Sequence, residues 1–249
     1  MLTEKTILIT GASSGIGASA AKLCAAAGAN LLLAARRLEK LEEVKAGLPD
    51  ASARISLFQG DVSDPDFSEA AVSAALERFG RLDGAFNNAG ILGEMGPVPA
   101  MSLDNWNAVV ATNLTSAFLA ARYQVPALKA SGGGSIVFTS SFVGHTIGLP
   151  GMAAYAASKA GLIGLAQVLA VEHGPDRIRV NALLPGGTKT EMAGDDAAFH
   201  QYVAGLHALK RMAEPEEIAR AALFLLSDAG SFVTGSAMLC DGGNSIAKA

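Results

Sequence analysis

No cluster of basic residues occurs along this chain, and its formal net charge is −4. A nucleic-acid partner needs a cationic stripe to meet phosphates, so none is expected. Cysteine is scarce, with Cys24 and Cys240 as the two in the chain. Both lie in apolar settings without metal-ligand spacing, which suits a reducing compartment better than a disulfide framework. Four histidines, His145, His173, His200 and His207, are scattered with no ligand spacing, so no metal is expected. No unbroken apolar run reaches the roughly eighteen residues needed to cross a bilayer. The start Met1-Leu2-Thr3-Glu4-Lys5 lacks the apolar core of a signal peptide. These shortages together lead to the expectation of a cytoplasmic protein with no membrane partner.

Apolar residues and glycine are plentiful. Half of the 249 residues are hydrophobic and 28 are Gly, which suits a well-buried core in one large α/β domain or two small ones. Neither an interdomain linker nor a close internal repeat is visible, so residues 1–249 are read as a single domain. Short apolar runs at 6–10, 30–35, 55–59, 82–86, 135–139, 178–184 and 236–240 predict strands. Helical patterns separate them. That alternation predicts a Rossmann-type doubly wound parallel sheet of about seven strands with helices on both faces.

The carboxyl ends of those strands carry the informative residues. Gly11-Ala12-Ser13-Ser14-Gly15-Ile16-Gly17 follows the first strand and opens a helix. Glycines let a backbone approach a pyrophosphate, and a helix N-terminus offers free N–H groups and a positive dipole end. The spacing is Gly-x-x-x-Gly-x-Gly rather than Gly-x-Gly-x-x-Gly. The second strand ends in Ala34-Ala35-Arg36-Arg37, with no carboxylate to hold a ribose diol and two guanidiniums to hold a phosphate. That favours NADP over NAD, with NAD still open. A charged helix at 38–48 ends near Gly47 and Pro49. Asp61-Val62 ends the third strand, where the aspartate suits an adenine amino group. Asp64-Pro65 looks like a helix start. Asn87-Asn88-Ala89-Gly90 ends the fourth strand, in the crevice where open parallel sheets bind ligands.

Ser102 opens a long helix that contains Asn113, and Pro126 marks a bend or its last turns. A buried Asn in mid-helix is costly unless paired; it could hold a water or the lysine, or simply be a satisfied packing residue. Ser140-Ser141 ends the fifth strand, where a hydroxyl suits donation to a carbonyl gaining negative charge. Tyr155 and Lys159 stand four apart on the next helix and therefore on one face. A free phenol has a pKa of about 10, and a nearby ammonium favours its phenolate. Lowering it by roughly three units takes on the order of 4 kcal/mol. Pro185-Gly186-Gly187-Thr188-Lys189-Thr190 follows the sixth strand. Residues 191–211 are weakly periodic and read as a substrate lid with short helices. The apolar loop 142–152 suggests a pocket with an apolar wall.

In this order the motifs resemble the short, single-domain branch of the short-chain dehydrogenase/reductase family over nearly the whole chain. The carriers are Thr10-Gly11-x-x-x-Gly15-Ile16-Gly17, Asp61-Val62, Asn87-Asn88-Ala89-Gly90, Asn113, Ser140-Ser141, Tyr155-x-x-Ser158-Lys159, Asn181, Pro185-Gly186 with Thr188 and Thr190, and Asp241-Gly242-Gly243. The resemblance implies a carbonyl reductase or alcohol dehydrogenase acting on a small molecule. In the family's terms Ser141 orients the carbonyl, Tyr155 moves the proton, Lys159 holds the nicotinamide ribose and lowers the phenol pKa, and Asn113 keeps a water in the relay. The spacing from Ser141 to Tyr155 is one residue longer than the family's usual one, which leaves Ser140 as the alternative donor. The resemblance also implies a homotetramer or homodimer. Two other readings of the fold are an epimerase or dehydratase, and a silent nucleotide-sensing or scaffold protein.

Overall fold

The computed structural model describes residues 2–48 and 54–247; the expected helix stop at Pro49 lies outside them. Seven strands form one parallel sheet in the order β3-β2-β1-β4-β5-β6-β7. They are β1 (Thr6–Thr10), β2 (Asn30–Ala35), β3 (Ile55–Gln59), β4 (Gly84–Asn87), β5 (Gly134–Thr139), β6 (Ile178–Pro185) and β7 (Ala237–Cys240). The helices are α1 (Gly15–Ala26), α2 (Leu38–Ala46), α3 (Phe67–Phe79), α4 (Leu103–Val110), α5 (Ser116–Ala130), α6 (Ala153–His173), α7 (Ala197–Leu206) and α8 (Pro215–Leu226). This is the doubly wound architecture that the sequence predicts.

Strand periodicity builds two cores. Ile7, Ile9, Leu31 and Leu33 face one side of the sheet and meet α1 and α8 through Ala20, Ala21, Ile218 and Ala222. Leu8, Leu32, Ile136 and Phe138 face the other side and meet α3, α5 and α6 through Ala71, Ala121, Leu162 and Ala166. Both faces are covered, as a parallel sheet requires, so β1 and β2 read as nearly continuous apolar runs. Strand order reverses between β1 and β4, and the crevice outside their carboxyl ends is where such sheets bind ligands.

Three local expectations shift. Helix α3 begins at Phe67 rather than at Asp64-Pro65, because the Asp64 carboxylate accepts from Asp66 N at 3.0 Å and closes a turn first. Strand β4 begins at Gly84 rather than at 82, since Leu82 N donates to Ser131 Oγ at 3.0 Å. The helix opened by Ser102 is interrupted by a π-helical turn, Ala111–Thr115, between α4 and α5. Pro126 sits inside α5, near its end. Helix α6 has a mean hydropathy of 1.4 and is long and apolar enough, by composition, to cross a membrane. That departs from the expectation that no apolar run reaches spanning length; in the fold, α6 packs its apolar side on the sheet.

Candidate active site

A cleft of about 740 Å³ opens at the carboxyl ends of the strands. Its phosphate end is the β1–α1 loop. Gly11 has φ +65°, and a Cβ there would stand 2.9 Å from the Ala89 backbone, so a larger residue would push apart two loops that line the cleft. Ser14 precedes α1 without capping it by its side chain, and a first helical turn has N–H groups with no partner inside the helix. Gly11, Ser13, Ser14, Gly15 and Ile16 line the cleft. Gly17 does not. A Cβ at Gly17 would fall 2.1 Å from the Gly11 carbonyl oxygen, so it lets the helix start pack under the loop.

Arg36 and Arg37 leave β2 toward the cleft along with Asp61 and Val62 from the end of β3. Arg37 Nη2 lies 3.4 Å from both Ser13 Oγ and Ser14 Oγ, and 2.8 Å from Glu191 Oε2. Arg36 Nη1 lies 3.7 Å from Asp61 Oδ2. The β2 end carries no carboxylate of its own, yet the fold brings two to it. Further along, Asn88, Ala89, Gly90, Pro185, Gly186, Thr188 and Thr190 line the same cleft. This cradle, a close-backbone glycine loop at a helix start flanked by two arginines, fits a dinucleotide.

Beyond Gly90 lie the candidate reactive groups. Ser140 Oγ donates to the Lys159 carbonyl at 2.7 Å, which uses its proton inside the fold. Ser141 Oγ accepts from Val143 N at 3.1 Å, and its hydroxyl is placed to favour the Tyr155 phenolate. Of the two serines, Ser141 is the one directed at Tyr155. Lys159 Nζ donates to the Thr139 carbonyl at 2.6 Å and lies 5.6 Å from the Tyr155 ring centroid. Burial lowers the Lys159 pKa to about 8. Burial also raises the Tyr155 pKa, against the lowering effect of Ser141. The sequence-based expectation that Lys159 pulls the phenol down is therefore not met here. The ammonium is engaged by the Thr139 carbonyl, and desolvation of the phenolate outweighs the effect of Ser141.

Asn113 sits in the π-turn, 2 % exposed, and does not line the cleft. Its Oδ1 accepts from Ile91 N at 2.8 Å, and its Nδ2 donates to Ile91 O at 2.9 Å and Ser158 Oγ at 3.1 Å. A Cβ at Gly90 would stand 3.1 Å from Asn113 Oδ1 and 3.2 Å from Lys159 Nζ, so Gly90 lets these two groups close on the same spot. Asn113 also borders a small cavity of about 20 Å³, which is room for one water. Among the described residues no group of histidines, cysteines and acids could hold a metal ion.

The expected lid consists of a single 3₁₀ turn, Glu191–Ala193, and helix α7. Asp196 caps α7 by accepting from Ala198 N and Phe199 N. Met192, Phe199, Tyr202 and Leu206 from this segment face Met95, Phe142, Leu149 and Met152 across the cleft. Two residues were not singled out from the sequence. Glu191 pairs with Arg37, 154 positions away, and His207 is buried at the end of α7. Neither belongs to a local pattern, so neither left a signal.

Comparison with known proteins agrees with this geometry. Residues 11–245 match the family model described as enoyl-(acyl carrier protein) reductase. The chain is 39 % identical over 240 residues to cyclohexanol dehydrogenase of Acinetobacter sp. (strain SE19), covering 96 % of this chain and 94 % of that one. The crystal structure of levodione reductase superposes with a TM-score of 0.94 at 37 % identity, over 100 % of both chains. That of 3-ketoacyl-(acyl-carrier-protein) reductase from Brucella melitensis, complexed with NADH, gives 0.93 at 31 % identity, over 99 % of this chain and 100 % of that one. The chain belongs to the short-chain dehydrogenase/reductase family of secondary alcohol and carbonyl oxidoreductases.

Proposed function

We propose that this oxidoreductase interconverts an uncharged cyclic secondary alcohol and its ketone, with NADP(H) as the preferred cofactor. The observation that carries the reading is the Ser141–Tyr155 hydroxyl pair opening onto an apolar cleft. A bound nicotinamide would supply or accept the hydride. Ser141 would donate to the substrate oxygen as it gains charge, Tyr155 would give that oxygen its proton, and Lys159 would hold the ribose beside them. Asn113 would fix the Gly90–Ile91 backbone and the start of the relay behind Lys159. The cleft is lined by the charged residues Arg36, Arg37, Asp61 and Glu191 at the phosphate end and by Lys159 at the centre. Around Met95, Phe142, Leu149, Met152 and Tyr202 it offers no cation to a substrate carboxylate. Cyclohexanol dehydrogenase among the relatives supports a ring substrate. A spectrophotometric panel checks this. Cyclohexanone-type ketones should exceed their carboxylated analogues in kcat/KM by about tenfold or more, the cost of burying an unpaired charge. A preference for the carboxylated analogues would overturn the reading.

The NADP preference rests on Arg36 and Arg37 and on the lack of a carboxylate within the end of β2 itself, although Asp61 and Glu191 reach the two arginines from elsewhere. Arg36→Ala should weaken NADPH by roughly ten- to a hundredfold, the effect of losing one charge-assisted hydrogen bond, and leave NADH little changed. Ala35→Asp combined with Arg36→Ala should reverse the preference, because the new carboxylate repels the phosphate and accepts from a free diol. The measurement is kcat/KM for both cofactors with one substrate. A wild type that already prefers NADH refutes the preference.

Two further readings complete the proposal. Leu103, Phe118, Val168 and Val171 expose apolar side chains on α4, α5 and α6, and Phe232 and Ile246 do so near β7 at the sheet edge. Such surfaces support a homotetramer or homodimer. Light scattering should give a mass at least twice the 25.3 kDa of one chain at micromolar concentration; a monomer would refute it. Cys24, whose thiol burial pushes up to about 12, and the free Cys240 suit the reducing cytoplasm.

A further inference from the structure

We propose that His207 is a positioning residue that ties the cofactor-side loop after β6 to lid helix α7, so that cofactor bound against the loop also fixes the lid. His207 is 1 % exposed although it follows a surface helix. Its Nε2 lies 3.0 Å from Gly187 N, and its Nδ1 lies 2.8 Å from Val203 O. A backbone N–H only donates and a carbonyl only accepts. The partners therefore dictate one neutral tautomer, with the proton on Nδ1 and the lone pair on Nε2. One ring thus bonds the loop on one side and the last turn of α7 on the other.

The packing makes this contact direct. A Cβ at Gly186 would fall 2.9 Å from His207 Nε2, one at Gly187 would fall 2.9 Å from Cε1, and one at Gly242 would fall 3.3 Å from Cδ2. Such a Cβ at 186 would also stand 2.7 Å from Asp241 Cα and one at 187 2.4 Å from Val203 Cγ1, so both glycines keep the loop packed tightly against the His207 ring and its neighbours. On the cleft side, Gly186, Gly187 and Thr188 share a wall with Val203 and Leu206 of α7. The far side of Gly187 is held independently, since Ala213 N donates to Gly187 O at 2.9 Å and Lys189 N to Ala213 O at 3.0 Å. The loop therefore keeps a fixed edge beyond the lid, and His207 carries its position into α7.

This inference rests on the nicotinamide-cofactor reading. The test is amide hydrogen exchange across residues 197–206, with and without saturating NADPH or NADH, alongside a fluorescence titration of cofactor affinity. In the wild type, bound cofactor should slow exchange in α7 by roughly tenfold. His207→Phe keeps a ring but loses both hydrogen bonds, and should abolish that cofactor-dependent slowing while cofactor still binds. His207→Gln can accept from Gly187 N and donate to Val203 O, and should restore most of it. A purely structural role would instead speed exchange equally with and without cofactor and would leave the increment intact; that result overturns the proposal. Should His207→Phe fail to fold, the wild-type increment and its retention in His207→Gln decide the matter. An unchanged α7 in the cofactor-bound wild type overturns the coupling alone. Failure of the wild type to bind either cofactor removes the underlying reading and the coupling with it.

Discussion

Tyr155→Phe should lower kcat by about two to four orders of magnitude and leave cofactor affinity within a few-fold, as expected for the loss of a positioned general acid. The hydroxyl that this change removes is beside Ser141, and burial holds its pKa above the ordinary value. At neutral pH it is therefore protonated, the form that donates to a ketone oxygen. Carbonyl reduction should accordingly show no loss from Tyr155 ionisation through neutrality. Alcohol oxidation needs the phenolate and should accelerate as pH rises. Lys159 adds a second feature. Its ammonium discharges near pH 8, because burial favours the neutral amine. A neutral amine would hold the ribose hydroxyls less firmly than an ammonium does, so the oxidation profile should bend near 8. A Tyr155→Phe variant with near wild-type turnover would sink the mechanism, whatever the profile.

The parts of this molecule legible from the sequence are those set by local pattern. Strands β1, β2 and β3 fall where their apolar runs predict; in β1 and β2 the run is nearly unbroken because both sheet faces are covered, while the edge strand β3 is mostly half-buried. The Tyr155–Lys159 face follows from helical spacing alone. Partnerships across the chain were less legible. Nothing near Arg37 announces Glu191, and nothing near His207 announces Gly187. The π-turn that holds Asn113 is likewise invisible, since its residues Ala111-Thr112-Asn113-Leu114-Thr115 differ little from those of an ordinary helix. Asn113 consequently bonds backbone and Ser158 rather than pointing into the cleft. The direction of the Tyr155 shift depended on competition between burial and charge, and burial is a property of the folded chain.

The choice between Ser140 and Ser141 yields a paired prediction, because the two hydroxyls have different partners. Ser141→Ala should lose about two to three orders of magnitude in kcat, the effect of removing one donor from a developing oxyanion. Its Oγ accepts from Val143 N, which leaves the hydroxyl proton for Tyr155 or a substrate oxygen. Ser140 is 1 % exposed and its proton is committed to the Lys159 carbonyl. Ser140→Ala would leave that carbonyl without this donor, at a cost of about 1–3 kcal/mol in stability. It should therefore lower Tm by several degrees and slow turnover less than Ser141→Ala does. Paired measurements of kcat and Tm on the two alanine variants separate the roles. A larger kcat loss for Ser140→Ala at unchanged Tm would move the donor to Ser140.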